Sequence, residues 1–359
     1  MKALIVITGR GIGGDAVNAL NIIKSLEDVD IQCEIALDTN APGLLFKKNG
    51  YSWHKVPVPQ AGGHAATKLT TIKAGIRTLK AVLKTRKLIK KLSVDVVVGV
   101  IGGGAIVGCI SAKLTKVPGV GITDTPLDTK ICTRLNECIV LPEAQMFKQK
   151  TVPENVHKSY FPLTKKIEKG DGAKAVKKII ELDTCKIFDE TKPTLLFSSG
   201  SSLFEGMVVC LSNYCKHLKE NNRLDDYNLL LIGNPLKKEY MDLIDEKQII
   251  NLGYINWIND LYELIDLAIL TDDGVMIQES VACELPAIAL TRVKYGRYHN
   301  MESIFPDAIL ESELDQANSK IDEALGSLDR LKNNSKKYSE KVLSANEKIA
   351  KIILEEAKK

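Results

Sequence analysis

Lys2-Ala3-Leu4-Ile5-Val6-Ile7 runs without a break into Thr8-Gly9-Arg10-Gly11-Ile12-Gly13-Gly14-Asp15. An apolar run, a glycine turn and then an apolar segment of helical character read as a strand that ends at a helix N-terminus. The pattern returns in Val94-Asp95-Val96-Val97-Val98-Gly99-Val100-Ile101, followed by Gly102-Gly103-Gly104. It returns again in the second half, where Thr194-Leu195-Leu196-Phe197 leads into Ser198-Ser199-Gly200-Ser201-Ser202. Such turns place bare amides and helix N-termini at the carboxyl edge of a parallel sheet. Open α/β proteins bind phosphorylated ligands there. The chain is therefore expected to be α/β, with two Rossmann-like parallel-sheet domains facing a central cleft.

Working outward, the first half alternates strand and helix. Strands are expected at 2–7, 31–37, 52–56, 94–101 and 119–122, with helices at 15–27, 42–49, 68–92 and 104–116. Continuous Val/Ile runs between helices indicate a sheet covered on both faces. A polar stretch with Pro153 and Pro162 at 152–169 is read as the hinge. The second half is expected to hold strands at 194–198, 228–232, 249–252, 266–271 and 286–290. Its helices are placed at 171–182, 203–220, 259–265 and 275–283, before a charged helical tail. The divisions are 1–162, 163–337 and a C-terminal helix at 338–359 that packs back on the first domain.

Composition narrows the class. With 359 residues, 45% hydrophobic and 26% charged, the chain is long enough for two cores and has the balance of a globular protein. A net charge of +4 gives no argument for nucleic acid. Charge is concentrated locally instead. Lys68, Lys73, Arg77, Lys80, Lys84, Arg86, Lys87, Lys90 and Lys91 follow one another with no acid between them, on a helix whose Leu69, Ile72, Ile76, Leu79, Leu83 and Leu88 fall near helical spacing. The eight cysteines form no CxxC pair and no zinc spacing, and read as reduced thiols of a cytosolic protein. Met1 leads straight into a strand, and no apolar run approaches the roughly 20 residues of a membrane span.

Several motifs admit more than one reading. Thr8, Gly9 and Gly13 begin a short-chain dehydrogenase pattern, and Asp38 ends the second strand as a dinucleotide site requires, but Asp15 stands where the last glycine belongs. Asp15 itself is either a carboxylate stabilised by the amides of a helix start or a general base. The segment from Asp266 to Ser280 ends a strand in Asp272-Asp273-Gly274 and opens a helix carrying Gln278 and Glu279. Its amides suit a diphosphate, and a glutamate in that helix suits a ribose diol; the plainer alternative is an acid that stabilises the helix start. Asp272 and Asp273 diverge and have no obvious third ligand, so no metal is expected.

Three stretches resemble the MurG family, glycosyltransferase family 28, of GT-B fold. They are Gly13-Gly14-Asp15-Ala16-Val17-Asn18-Ala19-Leu20, then Asp95 to Gly103, then 265–286 with Glu279 and Glu284-Leu285-Pro286. The resemblance implies that Glu279 holds the ribose of a UDP-sugar and that Tyr254 and Ile255 line the uracil pocket. Ser199, Gly200, Ser201 and Ser202, with Gly274 and Val275, would meet the diphosphate. Gln278, Tyr298 and His299 would approach the sugar. Gly11, Gly13, Gly14, Gly102, Gly103 and Gly104 would face the acceptor and its diphosphate. The chain departs from the family where Asp15 replaces a histidine, where Tyr298 and His299 replace paired glutamines, and where Ile122-Thr123-Asp124-Thr125 replaces His-Glu-Gln-Asn.

The expected activity is that of an inverting transferase moving an N-acetylhexosamine from a UDP-sugar to a polyprenyl-diphosphate-linked acceptor in cell-wall glycan synthesis, peptidoglycan or pseudomurein-like. Asp15 or Asp124 would be the base, and no cofactor beyond the UDP-sugar substrate is called for. Lys80, Lys84 and Lys87 would meet an anionic membrane, placing the protein in the cytoplasm, peripheral on the inner face. The alternatives are a catalytically drifted binding subunit of the same fold and a UDP-GlcNAc epimerase.

Overall fold

The structure, a computed structural model, describes residues 1–9, 14–59, 68–142, 152–182, 188–244, 248–272, 275–293 and 301–359. The chain divides into two compact units, Met1–Leu163 with Ser344–Lys359, and Thr164–Leu343.

The first unit contains β1 (Lys2–Val6), α1 (Gly14–Glu27), β2 (Gln32–Asp38), α2 (Leu44–Lys48), β3 (His54–Val56) and α3 (Lys68–Leu92). After these come β4 (Val96–Val100), α4 (Gly102–Thr115), β5 (Gly119–Thr123), α5 (Pro126–Cys132), β6 (Glu137–Val140) and β7 (Val156–Lys158). The sheet is seven-stranded, in the order β3-β2-β1-β4-β5-β6-β7, and each pairing is parallel. Its central strands are buried at every residue of β4 and β5, as expected of strands covered by helices on both faces. The strand order reverses between β1 and β4, the two strands that carry the first-half glycine turns.

The second unit holds α6 (Gly172–Ile180), β8 (Thr194–Leu203), α7 (Glu205–Glu220), β9 (Asn228–Pro235), β10 (Ile250–Gly253), α8 (Ile258–Tyr262) and β11 (Leu267–Thr271). It continues through α9 (Val275–Ala282), β12 (Ala287–Leu290), α10 (Met301–Ile304), β13 (Ile309–Ser312), α11 (Ala317–Leu325) and α12 (Leu328–Leu343). Its parallel sheet runs β10-β9-β8-β11-β12-β13. Phe197, Met207, Leu211, Tyr214, Leu229, Ile269 and Leu290 belong to its core. Here the order reverses between β8, which contains the serine segment, and β11, which leads to Asp272.

α13 (Ala345–Ala357) returns to the first unit, where it packs on α1. Asn346 clamps it there. Its Oδ1 accepts from the Leu163 amide at 2.9 Å, and its Nδ2 donates to the Leu163 carbonyl at 2.8 Å. The tail thus divides between Leu343 and Ser344, a few residues later than the sequence division at 338.

The structure adds elements that the sequence reading does not contain. The proposed hinge contains β7, an edge strand with a half-buried His157 and an exposed Lys158, and so no hydrophobic signal marks it. α5 and β6 lie in a stretch left unassigned. The apolar stripe of α3 is also displaced. Ala81, Val82, Thr85 and Ile89 are buried, whereas Ile76, Leu79 and Leu83 are 56%, 62% and 48% exposed.

Candidate functional site

In an open α/β sheet, ligands bind beyond the carboxyl ends of the strands where the order reverses. Both units present candidate residues at that place, each built within its own sheet.

In the first unit, Gly9 stands beyond β1 with φ of 62°, and its amide donates to Asp15 Oδ2 at 3.1 Å. Asp15 Oδ1 accepts from the Ala16 amide at 2.9 Å. The carboxyl is half-buried at the start of α1, with Gly14 exposed beside it. Burial pushes its pKa above the ordinary aspartate value, and the Gly9 and Ala16 amides oppose that rise. A carboxylate so placed is a stronger proton acceptor than an exposed one. Gly11 and Gly13 lie outside the described residues.

Asp38 is engaged within the protein. Its buried carboxylate takes Arg77 Nη2 of α3 at 2.5 Å and the Thr39 hydroxyl at 3.3 Å. The acid that a dinucleotide reading would give to a ribose is therefore held by a cation from the basic helix.

The second glycine turn is a packed corner. Gly102 N–H donates to Asp128 Oδ2 at 2.7 Å, and Gly104 N–H donates to the Ile101 carbonyl at 3.1 Å. A Cβ on Gly103 would lie 1.8 Å from the Pro59 carbonyl oxygen, and one on Gly104 2.6 Å from that of Val6. These glycines admit neighbouring backbone. Gly103→Ala is expected to lower the unfolding free energy by about 3 kcal/mol, because the clash is with main chain that cannot rotate away. A shifted urea midpoint at unchanged slope would show it.

Asp128 is a residue that the sequence reading missed. It is 1% exposed. Its Oδ1 accepts from the Thr125 amide at 3.0 Å, the Thr125 hydroxyl at 2.8 Å and the Thr129 amide at 2.8 Å. It thereby ties the second glycine turn to the start of α5 and fixes the loop that carries half-buried Asp124. The signal was present: Thr125-Pro126-Leu127-Asp128 is a capping box with proline at the first helical position.

In the second unit, the serine segment is a bulge within β8 and not a turn beyond it. The register with β9 passes from Ser198↔Ile232 to Ser202↔Asn234, so that Ser199, Gly200 and Ser201 stand opposite Gly233 alone. Gly200 has φ of 90° and open space where a Cβ would project. Ser199 Oγ donates to the Ser202 carbonyl at 2.8 Å and accepts from the Phe204 amide at 2.9 Å, so its hydroxyl holds the bulge together. Ser201 is exposed and Ser202 half-buried.

Across the switch point, α9 carries Gln278 and Glu279, 0% and 8% exposed. Tyr262, at the end of α8, donates its hydroxyl to Glu279 Oε2 at 2.9 Å. Burial raises the Glu279 pKa, and the tyrosine hydroxyl pulls it down. Val275 opens α9 half-buried, while Tyr254 is exposed and Ile255 half-buried just beyond β10. Gly274, Tyr298 and His299 lie outside the described residues. Among the described residues, no group of three or more His, Cys, Asp or Glu is arranged to hold a metal ion.

No protein-family model matches the chain. Curated relatives do. The UDP-N-acetylglucosamine–N-acetylmuramyl-(pentapeptide) pyrophosphoryl-undecaprenol N-acetylglucosamine transferase of Wigglesworthia glossinidia brevipalpis is 24% identical over 373 residues, which cover 99% of this chain and 96% of that protein. The protein of the same name from Histophilus somni (strain 129Pt) is 33% identical over 144 residues, 37% of this chain. There the chain spans only 39% of the relative's length. The crystal structure of Acinetobacter baumannii MurG superposes with a TM-score of 0.66 at 16% identity, over 99% of each chain. The two doubly wound parallel sheets and this end-to-end likeness agree: the chain has the GT-B fold and is similar to MurG proteins along its whole length.

Proposed function

We propose that the chain is an inverting glycosyltransferase that moves N-acetylglucosamine from its UDP donor to a polyprenyl-diphosphate-linked precursor of a cell-wall glycan. The observation that carries this is the buried carboxylate of Glu279, set in α9 at the switch point of the second sheet, in a chain whose similarity to a UDP-N-acetylglucosamine transferase runs over 99% of its length. Glu279 accepts hydrogen bonds from the ribose diol. The amides at the start of α9 and the open side of the β8 bulge face the diphosphate. Tyr254 and Ile255 border the base, and Gln278 borders the sugar.

In the reaction, the acceptor hydroxyl oxygen bonds to C1 of the sugar as the bond from C1 to the UDP oxygen breaks. The UDP oxygen keeps the electron pair, and the hydroxyl proton passes to a carboxylate. Asp15 suits that transfer better than Asp124, because the Gly9 and Ala16 amides aim it and burial raises its affinity for a proton. The pair Asp38–Arg77 speaks against a nicotinamide reading, since that acid is already engaged. A thermal-shift screen of UDP-sugars, followed by product analysis with a lipid-diphosphate acceptor, tests the assignment. A nicotinamide dinucleotide that stabilises the protein where UDP does not would overturn it.

The same reading places the protein against a lipid surface. No helix among the described residues is long and apolar enough to cross a membrane. α3 instead exposes Ile76, Leu79 and Leu83 beside exposed Lys80, Lys84 and Lys87. An apolar ridge edged with lysines suits an anionic bilayer, where each lysine contributes about 1 kcal/mol. Replacing the three lysines by glutamate is expected to weaken sedimentation with phosphatidylglycerol vesicles about a hundredfold at low salt. Leu79→Ser with Leu83→Ser should weaken it at every salt concentration. Equal pelleting of all three proteins would retire the membrane assignment.

A further inference from the structure

Glu279 is a buried acid whose protonation decides what it offers a ligand. A carboxylate only accepts hydrogen bonds, whereas a carboxylic acid also donates one. Burial favours the protonated form, and one neighbour counters it: the Tyr262 hydroxyl, 2.9 Å from Oε2, which donates to the carboxylate. Tyr262 is itself buried, and its own proton is held firmly because burial and the nearby Glu279 charge both raise its pKa far above the ordinary tyrosine value.

Among the described residues, the other ionisable groups around α9 do not substitute for it. The Cys283 thiol, one turn along, is pushed up to about 12 by burial and by Glu279, Glu263 and Glu168, and stays neutral. Lys336 of α12 pairs with Glu284 at 3.6 Å. β11 and β12 carry no charged residue, and Asp272, beyond β11, is a buried acid of like sign.

We propose that Tyr262 is a positioning residue of the nucleotide site, whose hydroxyl occupies Oε2 of Glu279 and leaves Oε1 to accept from the diol of a ribose. This rests on the donor-site reading above and adds to it a residue through which the pH dependence of nucleotide binding is set. In the wild-type protein, affinity for UDP falls only when acid protonates Glu279. Without the hydroxyl, the carboxyl holds its proton to higher pH, and the fall begins sooner. Above that range the two proteins converge.

The experiment is calorimetric titration of the full chain with UDP from pH 5 to 9, on wild type, Tyr262→Phe, Glu279→Gln and Glu279→Ala. Phenylalanine keeps the buried ring, and a thermal melt of each variant checks the fold. The expected result is a Tyr262→Phe profile displaced to higher pH, with affinity lowered about tenfold for each unit of displacement on the acid side and close to wild type at pH 9. Glu279→Gln, which cannot titrate, should give a profile without that limb. A Tyr262→Phe profile parallel to wild type overturns the inference and leaves the donor site standing, provided that Glu279→Ala loses affinity. Undiminished affinity in Glu279→Ala overturns both. Should Tyr262→Phe fail to fold, the wild-type and Glu279→Gln profiles decide the matter, and a wild-type limb that persists in Glu279→Gln overturns it.

Discussion

Glu279→Ala is expected to abolish the rise in melting temperature that millimolar UDP gives the wild-type protein. At a hundred times the dissociation constant, a ligand stabilises the state it binds by about 2.7 kcal/mol. For a domain of this size class that is a shift of several degrees. In the proposed donor site, the substitution removes a carboxylate that accepts from two ribose hydroxyls. Hydrogen bonds to a charged group are worth roughly 1.5–3 kcal/mol each, so affinity should fall about a hundredfold or more and the shift should vanish. The unliganded protein should change much less. Losing Glu279 removes a buried carboxyl but leaves the Tyr262 hydroxyl without its acceptor, and these effects oppose one another. The pH dependence carries a sign. Because burial raises the folded-state pKa of Glu279, its contribution to stability is full below the unfolded value near 4 and is lost as pH rises through the folded one. The alanine variant should therefore lose less stability than wild type as pH rises from about 4 through that raised value. A UDP shift that survives in Glu279→Ala would remove the basis for the donor site.

How far this was legible in the sequence depends on the kind of signal. The central strands could be read because β1, β4, β11 and the first half of β8 are buried on both faces and so are written as largely apolar runs. The edge strand β7 could not, since His157 and Lys158 face solvent in part and only three residues pair. The glycine turns announced themselves, but their meaning did not. Gly103 and Gly104 are small because Pro59 and Val6 approach, and a one-dimensional pattern does not distinguish a glycine that admits phosphate from one that admits backbone. The exposure of Ile76, Leu79 and Leu83 was hidden for a related reason. Their spacing marks a helix face without saying which neighbour, if any, covers it. Asp128 could have been found from its capping box. Tyr262 could not, because its partner lies seventeen residues away and no local rule links the two.

Asp15→Asn is expected to reduce turnover about 10²- to 10⁴-fold, the range that a positioned general base contributes, with the UDP-induced melting shift unchanged. Asparagine separates the two readings of this residue. A group that only caps α1 accepts from the Gly9 amide on one oxygen and the Ala16 amide on the other; the asparagine Oδ1 keeps one of these bonds and its Nδ2 gives up the other, a loss of about 1 kcal/mol. Stability should then stay within about 1 kcal/mol of wild type, inside the range that losing a cap altogether would cost. A base needs a carboxylate, and asparagine has none. The pH profile gives a second test. Burial raises the Asp15 pKa, so wild-type activity should fall as pH drops through a value above the ordinary 3.9. That acid limb should be missing from the residual rate of Asp15→Asn. Asp124→Asn, made in parallel, should lower turnover less and keep the limb. If Asp15→Asn turns over normally while Asp124→Asn does not, the base is Asp124, and Asp128, through the loop it fixes, becomes the residue that positions it. If both retain activity, proton transfer belongs to another group, and the two amides that hold Asp15 are a helix start and nothing more.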